Sequence, residues 1–97
     1  MPRRKYVFPR LNRIINRIVV ELNLYNLYEN EHIHIHVEPD KRKDHFFVSV
    51  WRKVTTKDGK THKLLYPSDI HTLKKIANQN HSFWYIDEIG FTISIIT

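Results

Sequence analysis

The sequence predicts a small α+β protein in which two helices pack on an antiparallel sheet, in the order α-β-β-β-α-β-β. Three observations predict it: helical spacing of apolar residues between positions 11 and 22, strict alternation in "EHIHIHVE", and the hairpin signal "KDGK" between two β-rich segments. A chain of 97 residues is long enough for one hydrophobic core and too short for two. We therefore assign residues 1–97 to a single domain, with a basic arm at residues 1–8.

The first helix is predicted from residue 9 to about residue 25. Pro9 stands in the first turn, where a helix accepts proline. The helical spacing of apolar residues ends in "NLYNLYENE". The basic arm that precedes the helix could end in a short strand, "KYVF". The predicted buried face follows the three-four-seven spacing of a helix and comprises Leu11, Ile14, Ile15, Ile18, Val19 and Leu22.

Three strands are predicted next, at residues 32–38, 45–56 and 61–67. The first alternates isoleucine with histidine, so one face is apolar and the other polar. "KDGK" predicts a type I′ turn with a two-residue loop, which would place Trp51 opposite Tyr66 and Lys53 opposite Leu64. The second strand has apolar residues on both faces, and two short helices can cover only one. The other face requires the C-terminal strands, a dimer partner or a ligand.

A second helix is predicted from an N-cap at Ser68 to about Asn80. The remaining segment, residues 82–97, is interpreted as one or two strands, with Phe91, Ile93 and Ile95 facing inward. Its last seven residues would aggregate as a free edge, so we expect them to be paired in the sheet or with a second subunit.

The composition indicates a basic protein inside the cell. Sixteen Lys and Arg residues against ten Asp and Glu give a net charge of +6, which favours polyanionic partners. There is no cysteine, no apolar segment of transmembrane length and no signal-peptide pattern, so we expect a cytoplasmic protein that does not contact a membrane. One alanine against twelve isoleucines and seven asparagines is a weak hint of an AT-rich viral or mobile-element genome.

The leading functional hypothesis is binding of DNA or RNA through phosphates, with little sequence preference. Each cationic group could equally be an ordinary solvated surface. Trp51 with Tyr66, beside Lys53, could be a stacking platform for unpaired bases, or it could be part of the core or of a protein interface. The candidate residues form four groups. They are Arg10, Arg13 and Arg17 on the first helix; Lys41, Arg42 and Lys43 in the loop after the first strand; Trp51 and Lys53 on the second strand; and Lys74 and Lys75 on the second helix.

The alternating histidines His32, His34 and His36 raise the question of a metal site. Histidines two apart on a strand can share one zinc ion, and a further ligand could come from His45, His62 or Glu38. The favoured interpretation is a solvated polar face without a cofactor, and bound zinc or manganese is the alternative.

"HIH" at residues 32–34 and again at 34–36 resembles the His-hydrophobic-His strand of the HUH endonucleases. The resemblance covers about seven residues and implies a divalent metal held by the paired histidines, with a helical tyrosine that attacks a DNA phosphate. That tyrosine is normally followed three or four residues later by lysine or glutamine. The chain departs from this pattern at Tyr25, Tyr28, Tyr66 and Tyr85.

The segment "LKKIAN" at residues 73–78 is similar to the start of the second helix in double-stranded RNA-binding domains. This resemblance implies phosphate contacts by Lys74 and Lys75. The glycine-rich segment that precedes that helix in the family is missing here, and the strands after residue 81 have no counterpart.

The chain lacks the P-loop, dinucleotide-binding, HExxH and nucleophile-elbow motifs, so we do not expect an enzyme. Ser68, His71 and Asp87 are one Ser/His/Asp combination among many that seven histidines permit. The second hypothesis is a protein-interaction module, either a homodimer or an inhibitor or adaptor of a host protein, because the sheet has apolar residues on both faces and the C-terminal segment is rich in β-forming residues. A metal-dependent HUH-like nuclease is the third.

Overall fold

The computed structural model describes residues 8–24 and 31–97 and confirms the predicted α+β fold and element order. Most of the predicted strand "KYVF" and the residues Tyr25 and Tyr28 lie outside these ranges. The elements are α1 (Pro9–Leu22), β1 (Glu31–Pro39), β2 (His45–Thr55), β3 (Thr61–Leu64), α2 (Pro67–Gln79), β4 (Phe83–Ile86) and β5 (Phe91–Ile96).

All five strands form one antiparallel sheet around the long strand β2. The strand order is β1-β2-β5-β4, and β3 pairs with β2 beside this path. On one side β2 pairs with β1 from Phe46 to Val54. On the other side its first half pairs with β5 and its last four residues pair with β3. Trp51 lies between these two segments, where the partner of β2 changes from β5 to β3.

The core lies between the two helices and one face of the sheet. Alternation puts every second residue of β2 and β5 on this face, including Val48, Val50 and the predicted inward residues of β5. The buried members of the cluster are Leu11, Ile14, Ile18, Leu22, Val48, Val50, Leu73, Ile76, Ala77, Phe91, Ile93 and Ile95.

A buried ion cluster centred on Arg52 of β2 joins three other elements at one end of this core. Arg52 has no exposed surface and makes two bonds to Asp69, of 2.6 and 2.7 Å, and one of 2.5 Å to Glu31. Its guanidinium also donates to the carbonyl oxygen of Leu22 at 2.5 Å. Burial disfavours the charged form, but the hydrogen bonds and charges of the two carboxylates outweigh it and raise the pKa of Arg52. The cluster fixes the end of α1 and the starts of β1 and α2.

The β2–β3 turn differs from the predicted two-residue loop. Thr56 N–H donates to Lys60 C=O, and Gly59 N–H donates to Thr56 C=O, so three residues form the loop. Gly59 has φ of +83°, as expected for a type I turn followed by a left-handed residue. The register therefore moves by one residue, and Lys53 pairs with Lys63. The predicted pairing of Trp51 with Tyr66 was wrong.

The helix boundaries also differ by a few residues. α2 begins at Pro67, with Tyr66 rather than Ser68 as its N-cap. Proline suits the first helical position, and Asp69 accepts a hydrogen bond of 3.0 Å from the Tyr66 N–H. α1 ends at Leu22, three residues earlier than predicted. None of the described helices is long and apolar enough to cross a bilayer.

Candidate nucleic-acid interface

One face of the sheet carries no helix among the described elements. The C-terminal strands do not cover this face, because β4 and β5 belong to the same sheet. Alternation and register assign its side chains. We call this surface the open face, and it carries His32, His34, His36, Glu38, His45, Phe47, Ser49, Trp51, Lys53, Lys63, Phe83, Tyr85, Thr92, Ser94 and Ile96.

Trp51 is the central aromatic group at one end of the open face. The imidazole of His34 stacks on its indole, with ring centroids 5.7 Å apart and an interplanar angle of 12°. The Lys63 ammonium lies 4.7 Å from the indole centroid. Because β1 and β3 flank β2 on opposite sides, these two groups approach Trp51 from opposite sides. A pocket lined by His34, Trp51, Lys53, Thr61, His62 and Lys63 opens here, and we call it the basic end.

The opposite end of the open face is acidic. A second pocket there is lined by Glu38, Asp40 and Asp87, together with Phe47 and Tyr85. Hydrogen bonds from the Arg42 side chain and from the Lys41 backbone lower the pKa of Asp40 to about 2. The Asp40 carboxylate is therefore ionised at neutral pH. Lys41 also lines this pocket, and Asp87 and Glu88 line a neighbouring pocket with Trp51 and Lys63.

The arginine stripe of α1 lies on the other side of the sheet, and two of its three members have protein partners. Arg10 donates to the carbonyl oxygen of Asn80 at the end of α2. Arg17 forms an ion pair of 2.6 Å with Glu21. Arg13 is exposed and makes no ion pair with any described residue. Among the three arginines, only Arg17 is therefore paired with a carboxylate of a described residue.

The other predicted cations are divided between two further places. The Lys74 ammonium lies 5.0 Å from the centroid of the Trp84 ring, whereas Lys75 is exposed. Lys41, Arg42 and Lys43 are exposed in the β1–β2 loop, where Arg42 is paired with Asp40 at 2.7 Å. The structure brings Trp51 and Lys53 together but does not gather the remaining predicted residues on the same face.

The histidine row has the predicted geometry, because His32, His34 and His36 share the open face. His36 lies 3.9 Å from Glu38, and His34 is stacked on Trp51. No group of three or more His, Asp or Glu residues with metal-site geometry occurs in residues 8–24 and 31–97. The zinc or manganese site remains a prediction.

Two of the tyrosines relevant to the HUH resemblance lie in the described residues, and neither is on a helix. The Tyr66 hydroxyl donates to Glu31 at 3.2 Å on the helix side of the sheet. Tyr85 lies on β4. His45, a predicted further metal ligand, is hydrogen-bonded to Asp40 and Ser94.

Comparison with known proteins gave no relative. No protein-family model, curated protein or solved structure matches this chain.

Sequence reasoning missed Lys63 as a member of this site. The two-residue loop would have paired Lys53 with Leu64 and turned Lys63 to the other face. The available signal was Gly59, because glycine also suits the left-handed third position of a three-residue loop.

Proposed function

We propose that this protein binds single-stranded nucleic acid on the open face, with a base stacked on Trp51 and phosphates held by Lys53 and Lys63. The observation that carries the proposal is an indole between an imidazole and an ammonium group, on a sheet face without a helix. Proteins that bind single strands commonly combine aromatic stacking surfaces with cations along the backbone path.

Binding requires Lys63 to leave the indole. Its side chain is exposed, and its ammonium also donates to the carbonyl oxygen of Glu88 at 3.4 Å. An exposed cation–π contact contributes only about 0.5–1 kcal/mol. Stacking of a base contributes about 1–3 kcal/mol. A base can therefore replace the ammonium, and we expect the freed lysine to contact a phosphate of the bound strand. His34 remains on the other side of the ring and holds the indole in place.

The test compares two charge-reversal pairs on opposite sides of the sheet. Fluorescence anisotropy with labelled single- and double-stranded DNA and RNA should show that Lys53→Glu plus Lys63→Glu abolishes binding. Trp51→Ala should weaken it by about 10-fold, the lower part of the stacking range. Arg13→Glu plus Arg17→Glu makes the same change of charge on α1 and should leave most of the affinity.

If the α1 variant lost more affinity than the Lys53→Glu plus Lys63→Glu variant, the interface would lie on the helices and the open-face proposal would be refuted.

The same assay with zinc or manganese examines the nuclease hypothesis. Cleavage that needs the metal and is lost on His34→Ala would support it.

The second candidate is a protein-interaction module, and exposed apolar groups on β4 and at the end of β5 favour it. Phe83 is 72% exposed, and Ile96 is 62% exposed. β4 pairs only with β5 within the described sheet, so its outer edge is available to another strand. Analytical ultracentrifugation of the wild type and of Phe83→Lys distinguishes the candidates. A dimer that the substitution dissociates would support this second function.

A further inference from the structure

We propose that Asp40, His45 and Ser94 form a nucleophilic site in which His45 activates the Ser94 hydroxyl towards electrophilic acyl or phosphoryl groups. The site is separate from the basic end at Trp51 and does not depend on the nucleic-acid proposal. It also differs from the Ser68, His71 and Asp87 combination that the sequence permits.

The hydrogen bonds determine the role of each group. His45 is only 3% exposed, and its Nδ1 lies 2.7 Å from Oδ2 of Asp40. The ionised Asp40 carboxylate can only accept, so in the neutral imidazole Nδ1 carries the proton. Nε2 must then accept a hydrogen bond from the Ser94 hydroxyl, which is its other partner. Carboxylate, imidazole and hydroxyl therefore stand in the order used by Ser-His-Asp hydrolases.

The surroundings of Ser94 indicate the kind of group it would accept. Ser94 is half-buried on the open face, and its neighbours across the two adjacent strands are Phe47 and Phe83. Ile96 follows on the same face. These side chains favour an electrophile with an apolar substituent. Since β5 pairs with strands on both sides, its amides are used by the sheet and do not form an oxyanion hole. We therefore assign reaction with strongly activated electrophiles, not peptide hydrolysis.

With an alkyl fluorophosphonate as the probe, the reaction is a single displacement. The Ser94 Oγ–P bond forms, the P–F bond breaks, the hydroxyl proton moves to Nε2 of His45, and fluoride leaves. The product is a stable phosphonyl ester on Ser94. Its mass and position can be read by mass spectrometry of the intact protein and of its peptides.

We expect one adduct, on Ser94, and none at comparable rate on Ser49, Ser68 or Ser82. Ser94→Ala should abolish labelling. His45→Gln should slow it by about 100-fold or more, as general-base removal does. Because His45 is buried, folding of this variant must be checked by circular dichroism. Asp40→Asn changes a more exposed group, and it should lower the phosphonylation rate constant while leaving the reagent's binding constant unchanged.

Ser49→Ala is the matched control, because Ser49 is also buried on the open face but is bonded to Thr92, at 2.9 Å, and not to a histidine. It should label like the wild type. An absence of adduct on the folded protein, or equal labelling of all four serines, would overturn the proposal and leave the three residues as a purely structural network.

Discussion

At the scale of single residues, Arg52 shows how strongly one buried charge can depend on its partners. Its replacement by Met would remove the cation that pairs with the buried carboxylates of Glu31 and Asp69. Breaking a buried ion pair in this way typically costs about 3–5 kcal/mol. We expect Arg52→Met to lower the free energy of unfolding by that amount, as measured by urea denaturation.

Arg17→Met is the control for this change, because Arg17 pairs with Glu21 on the helix surface. Exposed pairs at this spacing contribute about 0.3–0.5 kcal/mol. Equal losses in the two variants would contradict the buried cluster.

Asp40 is predicted to make stability depend on pH in the acidic range. Its pKa is lowered from 3.8 to about 2, mainly by the hydrogen bond from Arg42. A carboxyl group with a lowered folded-state pKa stabilises the fold above its unfolded pKa, and this contribution disappears as pH falls through the folded value. Between about pH 4 and pH 2, the Tm of wild type should therefore fall more steeply than that of Asp40→Asn. Parallel curves would refute this prediction.

At the scale of elements, the two glycines belong to turns with different requirements. Gly90, with φ of +155°, precedes β5, and an added Cβ would overlap the carbonyl oxygen of Val50 and lie 3.2 Å from the Cβ of Trp51. An added Cβ at Gly59 would have no atom within 4 Å. Gly59→Ala should cost about 1 kcal/mol through its positive φ alone. Gly90→Ala should cost clearly more because it forces strands apart. Thermal unfolding of both variants measures the difference, and equal Tm values would argue against the close approach.

The sequence predicted helices and strands well where apolar residues kept a regular spacing over many positions. The alternation in β1 correctly predicted a strand. The helical spacing correctly predicted burial of Leu11, Ile14, Ile18 and Leu22, whereas Val19, which was predicted on the same face, is 37% exposed. The β2–β3 register could not be predicted in this way, because "KDGK" fits two loop lengths and the choice reverses the face on which Lys63 lies. The Arg52 cluster was also missed, since its members are far apart in sequence and meet only when three elements pack.

The candidate site was only partly predictable for the same reason. Trp51 and Lys53 were identified because their residue types suit nucleic acid. The contributions of His34 and Lys63 depend on pairing between strands, so they required the register. On α1, the hydrogen bond of Arg10 to a backbone carbonyl and the ion pair of Arg17 with Glu21 could not be predicted by charge counting.

At the scale of the whole molecule, carboxylates beside the open face would limit how the proposed single-stranded ligand binds. Trp51 and Phe47 are four residues apart on β2, or about 13 Å. Carboxylates at the Phe47 end repel phosphates, so we expect only about two to four phosphates to be neutralised. A plot of the logarithm of affinity against the logarithm of salt concentration should then have a slope of about −1.4 to −2.8. Affinity should also stop rising beyond a few nucleotides. Anisotropy titrations with oligonucleotides of increasing length measure both quantities, and a continued rise with length would mean a longer path.

The division of β2 between two partners on one side also has a consequence for the order of folding. The hairpin with β3 joins residues close in sequence, such as Lys53 and Lys63, whereas the pairing with β5 joins His45 to Ile96. Local contacts lose less chain entropy and form faster. We expect β1, β2 and β3 to assemble first as a meander with an incomplete core. During synthesis, this intermediate would persist until residues 91–96 emerge from the ribosome and insert as β5, so stable folding would follow translation of that strand.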